Sequence, residues 1–447
     1  MAEGTRDGTA DGAAGTPAGA DPGPSPGGTG GAAPAGRPLA GVRVVDLSRV
    51  LAGPYATMLL ADLGADVVKV EHPGRGDDTR AWGPPWAGGE AGYFLAVNRG
   101  KRSLAVDLKD PEGLAAVRDL CAAADVVVQN FRPGVADRLG LGHAAVRARN
   151  PAAVYCSISG FGPEHDPPGR PGFDLIVQAE SGFMASTGSP GGPPTKTGVA
   201  ITDVLTGLNA AVAILGALVR ARACGQGEHV SVSLVNSALS GLANLTQQAL
   251  LTDAEPERAG NAHGSIVPYQ SFPTADSEIV VAAGNDSLFR RLCAVLERPD
   301  LAEDPRYATN PLRVAHRADL VAEISAALRA RPAADWVRDL LEAGVPVGRV
   351  RGVLDAVRTA QAAGDDVLLH TVHPAAGPLE LVRAGFRLGS APAAGDRTPA
   401  APPPLLGEHS ARVLAEAGLA PERIAALVER GAVHQADPPH PADPPAT

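Results

Sequence analysis

Two short runs rich in β-branched residues, Val42–Leu47 (VRVVDL) and Asp66–Glu71 (DVVKVE), flank Pro54–Leu63, whose apolar residues fall at helical spacing before Gly64. Strand, helix and strand in that order make a βαβ unit. The alternation continues through Ser103–Leu108, Asp125–Gln129 and Val154–Ser159, which read as strands. Pro111–Ala123 reads as a helix opened by Asp110 as cap, with Pro111 at its first position. The pattern predicts an α/β fold with a doubly wound, mostly parallel, Rossmann-like sheet. The turn after Leu47 reads SRVLAGP rather than GxGxxG, and GxxxxGK[ST] occurs nowhere, which argues against a dinucleotide or NTP enzyme.

A chain of 447 residues has room for two domains. Residues 1–37, rich in Gly, Ala and Pro, have no apolar periodicity and are expected to form a disordered tail. A large α/β domain is expected over 38–250 and a smaller α/β domain over 258–360. A return to the large domain is expected over 370–432, and a flexible tail over 433–447. Within these, Glu228–Val235 alternates as a strand and Asn236–Leu251 reads as one helix. The net charge of −10 implies no broad basic surface, so no nucleic-acid partner is expected. Cys121, Cys156, Cys224 and Cys293 are dispersed without metal spacing. They read as buried thiols of a reducing cytoplasm, with no metal site. No signal peptide and no membrane partner are expected.

The stretch Gly198–Gly207 (GVAITDVLTG) carries one ionisable group, Asp203. Leu208–Val219 follows it, nearly all apolar, too short to span a bilayer, and reads as a buried helix. Asp203 therefore lies near a helix start. It can be an N-cap, or a carboxylate nucleophile held ionised by the free N–H groups and the helix dipole. Basic residues concentrate in one segment, Lys69, His72, Arg75, Arg80, Arg99, Lys101, Arg102 and Lys109, with Arg132, Arg138 and Arg170 farther on. Such a set is either a solvated rim or a site for an anionic, phosphorylated ligand.

Five segments occur in a recognisable order: LAGVRVVDLSRVLAGPYATMLLADLGADVVKVEHPGRGDDTR, NRGKRSLAVDLKDPEG, DVVVQNFRPGVADRLGLG, PGFDLIVQAESG and GVAITDVLTG. From about Leu39 to Arg430 the chain resembles the class III CoA-transferases, the formyl-CoA transferase and carnitine CoA-transferase type. GNAHGSIVPYQSF, NPLRVAHRADL and PPPLLGEHS look most like the branch of that family acting on dicarboxylates. The resemblance implies an interlocked homodimer, no permanently bound cofactor, and coenzyme A as a substrate. It implies transfer of CoA from an acyl-CoA such as succinyl-CoA to a dicarboxylate such as glutarate. An aspartate attacks the thioester to form a mixed anhydride, and CoA thiolate then converts the anhydride to a β-aspartyl-CoA thioester. The acceptor carboxylate reverses the sequence. A carboxylate suits this role because its anhydride and thioester keep the transfer potential.

By position, the resemblance makes Asp203 the nucleophile. It puts Val50, Leu51 and Ala52 in the first turn along CoA, Asn130 and Phe131 beside the pantetheine and pyrophosphate, and His72, Val106, Lys109, Arg138 and Leu139 towards the phosphates and adenosine. The formyl type has Gln in place of Leu51 and Arg in place of His72. Its run of lid glycines is here Asn261–Pro268. Candidates for a distal substrate carboxylate are Arg49, Arg80, Arg102 and His263. The α-methylacyl-CoA racemases share the superfamily and use a His before the Asp of the segment matching Phe173-Asp174. Phe173 cannot transfer a proton, which disfavours that alternative.

Overall fold

The computed structural model describes residues 37–162, 170–388 and 401–436. The disordered tail expected over 1–37 lies, apart from Arg37, outside the described residues. The ordered chain opens with β1 (Arg43–Asp46), α1 (Ala52–Asp62), β2 (Asp66–Glu71), β3 (Lys101–Val106), α2 (Pro111–Ala123), β4 (Val126–Gln129) and β5 (Val154–Ser159). It continues with α3 (Asp174–Glu180), α4 (Ile201–Cys224), β6 (His229–Ser233) and α5 (Leu234–Gly241). Strands β7 (Tyr269–Pro273), β8 (Glu278–Ala282), β9 (Val347–Arg349), β10 (Leu368–His373), β11 (Gly377–Val382) and β12 (Val433–His434) follow.

The main sheet has the order β12-β3-β2-β1-β4-β5-β6, parallel except for β12. Both faces of its central strands are buried, which explains their almost unbroken valine content. Val44, Val67, Val126 and Val154 face α1 and α4, while Val45, Val68, Val127 and Tyr155 face α2 and the C-terminal helices. As the sequence predicts, Asp110 caps α2 by accepting from Glu112 N and Gly113 N. Strands β9-β8-β7 form a separate antiparallel sheet with its own core, which includes Phe272, Ile279, Phe289, Leu292 and Trp336.

Three expectations need correction. The apolar run Leu208–Val219 is only the middle of α4, a helix of 24 residues that is long and apolar enough to cross a membrane. Its Ala210, Ile214, Ala217 and Leu218 are instead buried in the core of the main sheet. The single helix expected over Asn236–Leu251 is broken after α5, where Ala243 adopts φ 45°. The tail expected from residue 433 begins instead as β12, which pairs Val433 with Val106 and closes the sheet edge.

Helices α1 and α4 cross at close range. A Cβ added to Gly207 would lie 2.7 Å from the Ala52 carbonyl oxygen and 3.0 Å from the Tyr55 ring. Backbone cannot yield as a flexible side chain would, so Gly207→Ala must push α4 outward. The expected cost is about 1–3 kcal/mol, with a fall in turnover on the expectation that Asp203, one turn away on the same helix, is the nucleophile. Thermal melts and steady-state rates check this, and wild-type values for both would refute it.

Candidate active site

Strands β1 and β4 are neighbours at the point where the strand order reverses, and clefts form beyond the carboxyl ends of strands at such a point. Two turns leave these ends. After β1, the Ser48 N–H and hydroxyl both donate to Asp46, which is fully buried and also receives Thr57 Oγ1 at 2.6 Å and Lys101 Nζ at 3.1 Å. Val50 then takes φ 71°, a left-handed conformation that costs a β-branched residue of order 1–3 kcal/mol. Its N–H donates to the Asp77 carboxylate at 3.2 Å. Asp77 is in turn paired with Lys69 at 2.8 Å, both wholly buried. Burial opposes ionisation of Asp77, but the charge and hydrogen bond of Lys69 together with the Thr79 N–H and hydroxyl outweigh it and lower the carboxyl to about 2. After β4, Asn130 clamps the two turns together. Its Oδ1 accepts from Arg49 N at 2.9 Å and its Nδ2 donates to Arg49 O at 2.8 Å.

These turns border a cleft of about 790 Å³. Arg49, Val50, Leu51, Ala52, Asn130, Phe131 and Asp203 all line it, with Phe161, Phe173 and Leu234 on other walls. Asp203 is the third residue of α4. It is not an N-cap, and the N–H groups do not hold it ionised. Asp174 takes the Thr202 N–H instead, at 2.9 Å. Among the described residues none donates a hydrogen bond to Asp203. Burial, with the charge of Asp174 added, pushes its carboxyl up to about 7. Leu51, Val50, Ala200, Val204 and Tyr93 form one apolar cluster around this point. The Tyr93 phenol is itself pushed up to about 12 by burial and by Asp203.

Of the basic set, Arg132 and Arg170 also line the cleft, while the remaining sequence candidates lie outside its lining. Lys69 and Lys101, read from the sequence as part of a possible ligand-binding set, are buried partners of Asp77 and Asp46. Arg80 is held by Glu71, Glu90 and the Pro404 carbonyl, and Arg102 by Asp66 and Glu416. Both are occupied by ion pairs within the chain and are not free to grip a substrate carboxylate. Val106 is in the core, paired with β12. His72 is exposed, with Nδ1 accepting from Gly74 N. Lys109 and Arg138 are exposed, and Leu139 packs against the core under its helix. His263 belongs to the loop before β7, where Arg317 binds its carbonyl. Arg49 differs from the other arginine candidates. Among the described residues its guanidinium meets only Asp78, at 3.2 Å, and its side chain is 43% exposed.

Sequence reasoning missed several lining groups. His143 and His229 stack with ring centroids 4.4 Å apart, and Ser157 Oγ lies 2.9 Å from His229 Nε2. The alternation of β6 held a signal, since His229 and Ser231 share one strand face. Tyr93 and Asp174 stand near Asp203 without lining the cleft; Asp174 belongs to the family segment PGFDLIVQAESG, but its nearness to Asp203, like that of Tyr93, is tertiary.

A family model described as CoA-transferase family III matches residues 39–410. The chain is 42% identical over 380 residues to the succinyl-CoA:glutarate CoA-transferase of Mus musculus, covering 85% of this chain and 86% of that one. It is 45% identical over 396 residues to the succinate–glutarate CoA-transferase of Agrobacterium fabrum, covering 85% and 95%. A solved CAIB/BAIF family protein from Brucella suis superposes with a TM-score of 0.76 at 39% identity, over 86% of this chain and 100% of that one.

Proposed function

Since the chain belongs to CoA-transferase family III, we propose that it moves coenzyme A from succinyl-CoA to glutarate or a close dicarboxylate, with Asp203 as the covalent carrier. The observation that carries this reading is a carboxylate with no hydrogen-bond donor among the described residues, set in the cleft at the sheet's switch point. Ionised Asp203 attacks the succinyl thioester carbonyl, and CoA thiolate leaves. The thiolate attacks the aspartyl carbonyl of the anhydride and releases succinate. The acceptor carboxylate attacks the aspartyl-CoA thioester and again frees the thiolate. The thiolate takes the acceptor acyl group from the second anhydride and restores Asp203. Val50–Ala52, Asn130 and Phe131 border the path of the thiol end. His72, Lys109, Arg138 and Leu139 are proposed for the adenosine and phosphate end; Val106 is not, because its side chain is in the core and its backbone pairs with β12.

The distal carboxylate needs a cation, because a buried unpaired carboxylate is strongly penalised. Arg49 suits this role. It lines the cleft, is half exposed, and can exchange Asp78 for a bidentate substrate contact. Succinyl-CoA and glutaryl-CoA are therefore expected to be good donors, and butyryl-CoA poorer by roughly tenfold or more. A panel of acyl-CoA donors against dicarboxylic acids, read by mass spectrometry, tests this. Equal kcat/KM for succinyl-CoA and butyryl-CoA would sink the dicarboxylate assignment. CoA release that needs no acceptor acid would indicate a hydrolase instead.

The same reading includes a cytoplasmic homodimer with interlocked chains, each formed of a large domain interrupted by a smaller one over about 258–360. The outer face of α4 supports a partner there, with Val212 69% and Val219 71% exposed. The four cysteines are free thiols; Cys121, Cys156 and Cys293 are buried as expected, whereas Cys224, at the end of α4, is exposed.

A further inference from the structure

We infer that Asp174 is a positioning residue for Asp203: it caps α4 in the nucleophile's place and sets a second negative charge beside an otherwise unbonded carboxylate. The inference rests on the reading of Asp203 as the nucleophile. Asp174 Oδ1 accepts from Thr202 N at 2.9 Å and from Thr202 Oγ1 at 2.8 Å. Its Oδ2 accepts from Gln178 Nε2 at 2.7 Å. Gln178 is wholly buried, and its Oε1 accepts from Thr197 N at 2.9 Å. Side chains of α3 thus pin both ends of the segment 197–202 that leads into α4.

The geometry has a chemical consequence. A helix start leaves N–H groups unsatisfied, and an acidic side chain at the third position commonly folds back towards the cap. A carboxylate spent that way is a weaker nucleophile. With Asp174 supplying the cap, Asp203 lines the cleft and receives no hydrogen bond among the described residues. The groups around Asp203 do not cancel the added charge. Leu51, Ala200 and Val204 are apolar, and Tyr93 is a neutral phenol. Asp77 stands behind Val50, and the Arg49–Asp78 pair lies elsewhere on the cleft wall. Two nearby carboxylates resist ionising together, so Asp174 makes Asp203 more basic and hence more nucleophilic.

The test uses Asp174→Asn, which keeps an acceptor for Thr202 but removes the charge, and Thr202→Val, which removes one cap bond but no charge. The Asp203 carboxyl is titrated by carbon NMR, assigned against Asp203→Asn, and compared with the pH profile of kcat/KM. Asp174→Asn is expected to lower the Asp203 midpoint and the acid limb of the profile by about one unit, and kcat on the alkaline plateau by roughly threefold, since nucleophilicity falls by less than basicity. Thr202→Val is expected to lower kcat without moving the midpoint. An unmoved midpoint in Asp174→Asn overturns the inference, and so does wild-type kcat in Thr202→Val, which decides the matter should Asp174→Asn fail to fold. Hydroxylamine trapping of wild-type enzyme separates the two readings. If no hydroxamate forms at Asp203 the nucleophile assignment fails, while the NMR midpoint still reports the effect of Asp174.

Discussion

Asp203→Ala is expected to reduce CoA transfer on the order of 10⁴-fold or more while leaving the fold intact, because it removes the covalent carrier itself. In wild-type enzyme with acyl-CoA present, hydroxylamine is expected to leave a hydroxamate on Asp203, read by peptide mass spectrometry. Substantial transfer by the Ala variant would end the mechanism. The pH dependence follows from the raised carboxyl. Only the ionised form attacks, so kcat/KM is expected to rise with pH through about 7.

The same shift predicts an effect on stability. The folded carboxyl holds its proton up to about pH 7, whereas the unfolded one releases it near 3.8. Between those values the native state binds more protons, so this group's contribution to stability falls as pH rises. Asp203→Asn has nothing to ionise. It is expected to match wild type near pH 4 and to exceed it by about 2–4 kcal/mol above pH 7. Denaturant melts at both pH values measure this, and an Asn variant no more stable than wild type at pH 8 would contradict the desolvated carboxyl. On the proposed reading of Asp203, the enzyme gives up stability to keep a basic nucleophile.

Asp77→Ala is expected to be the most destabilising single change among the site's supports, by about 3–5 kcal/mol. Lys69 is wholly buried, 2.8 Å from Asp77. Burial alone would weaken its hold on its proton, but Asp77, Asp46 and Glu71 outweigh this and raise it above its ordinary value. Without Asp77 that ammonium keeps only the Ser48 carbonyl, at 2.9 Å, as a close partner. The variant also loses the acceptor that holds Val50 at positive φ, so KM for acyl-CoA should rise along with the loss of stability. The sign with pH is opposite to that of Asp203. The lowered carboxyl of Asp77 stabilises the fold above about pH 4, and this is lost as pH falls towards 2. A melt within 1 kcal/mol of wild type for Asp77→Ala, measured at pH 7 by denaturant titration, would show that the pair does not hold the turn.

Periodicity and local chemistry alone determined the alternating strands and helices, the cap at Asp110, and the absence of a nucleotide glycine loop, because each is written within a few residues. The alternation implied a mostly parallel sheet, whereas the strand order, with β1 beside β4, came from the tertiary structure. Family motifs brought Asp203, Val50–Ala52, Asn130 and Phe131 onto the same short list, and these are the candidates that share the cleft. The tertiary structure decided what the charges do. A basic residue reads alike whether it meets a phosphate or a buried carboxylate. Lys101 finds Asp46 across 55 residues of chain, and Arg102 finds Glu416 across 314. Asp203 likewise could be read as a cap or as a nucleophile until Asp174, 29 residues earlier in the numbering, was seen to bind the Thr202 N–H. Electrostatic shifts depend on distance through space and on exclusion of water, and neither is written in the order of the residues.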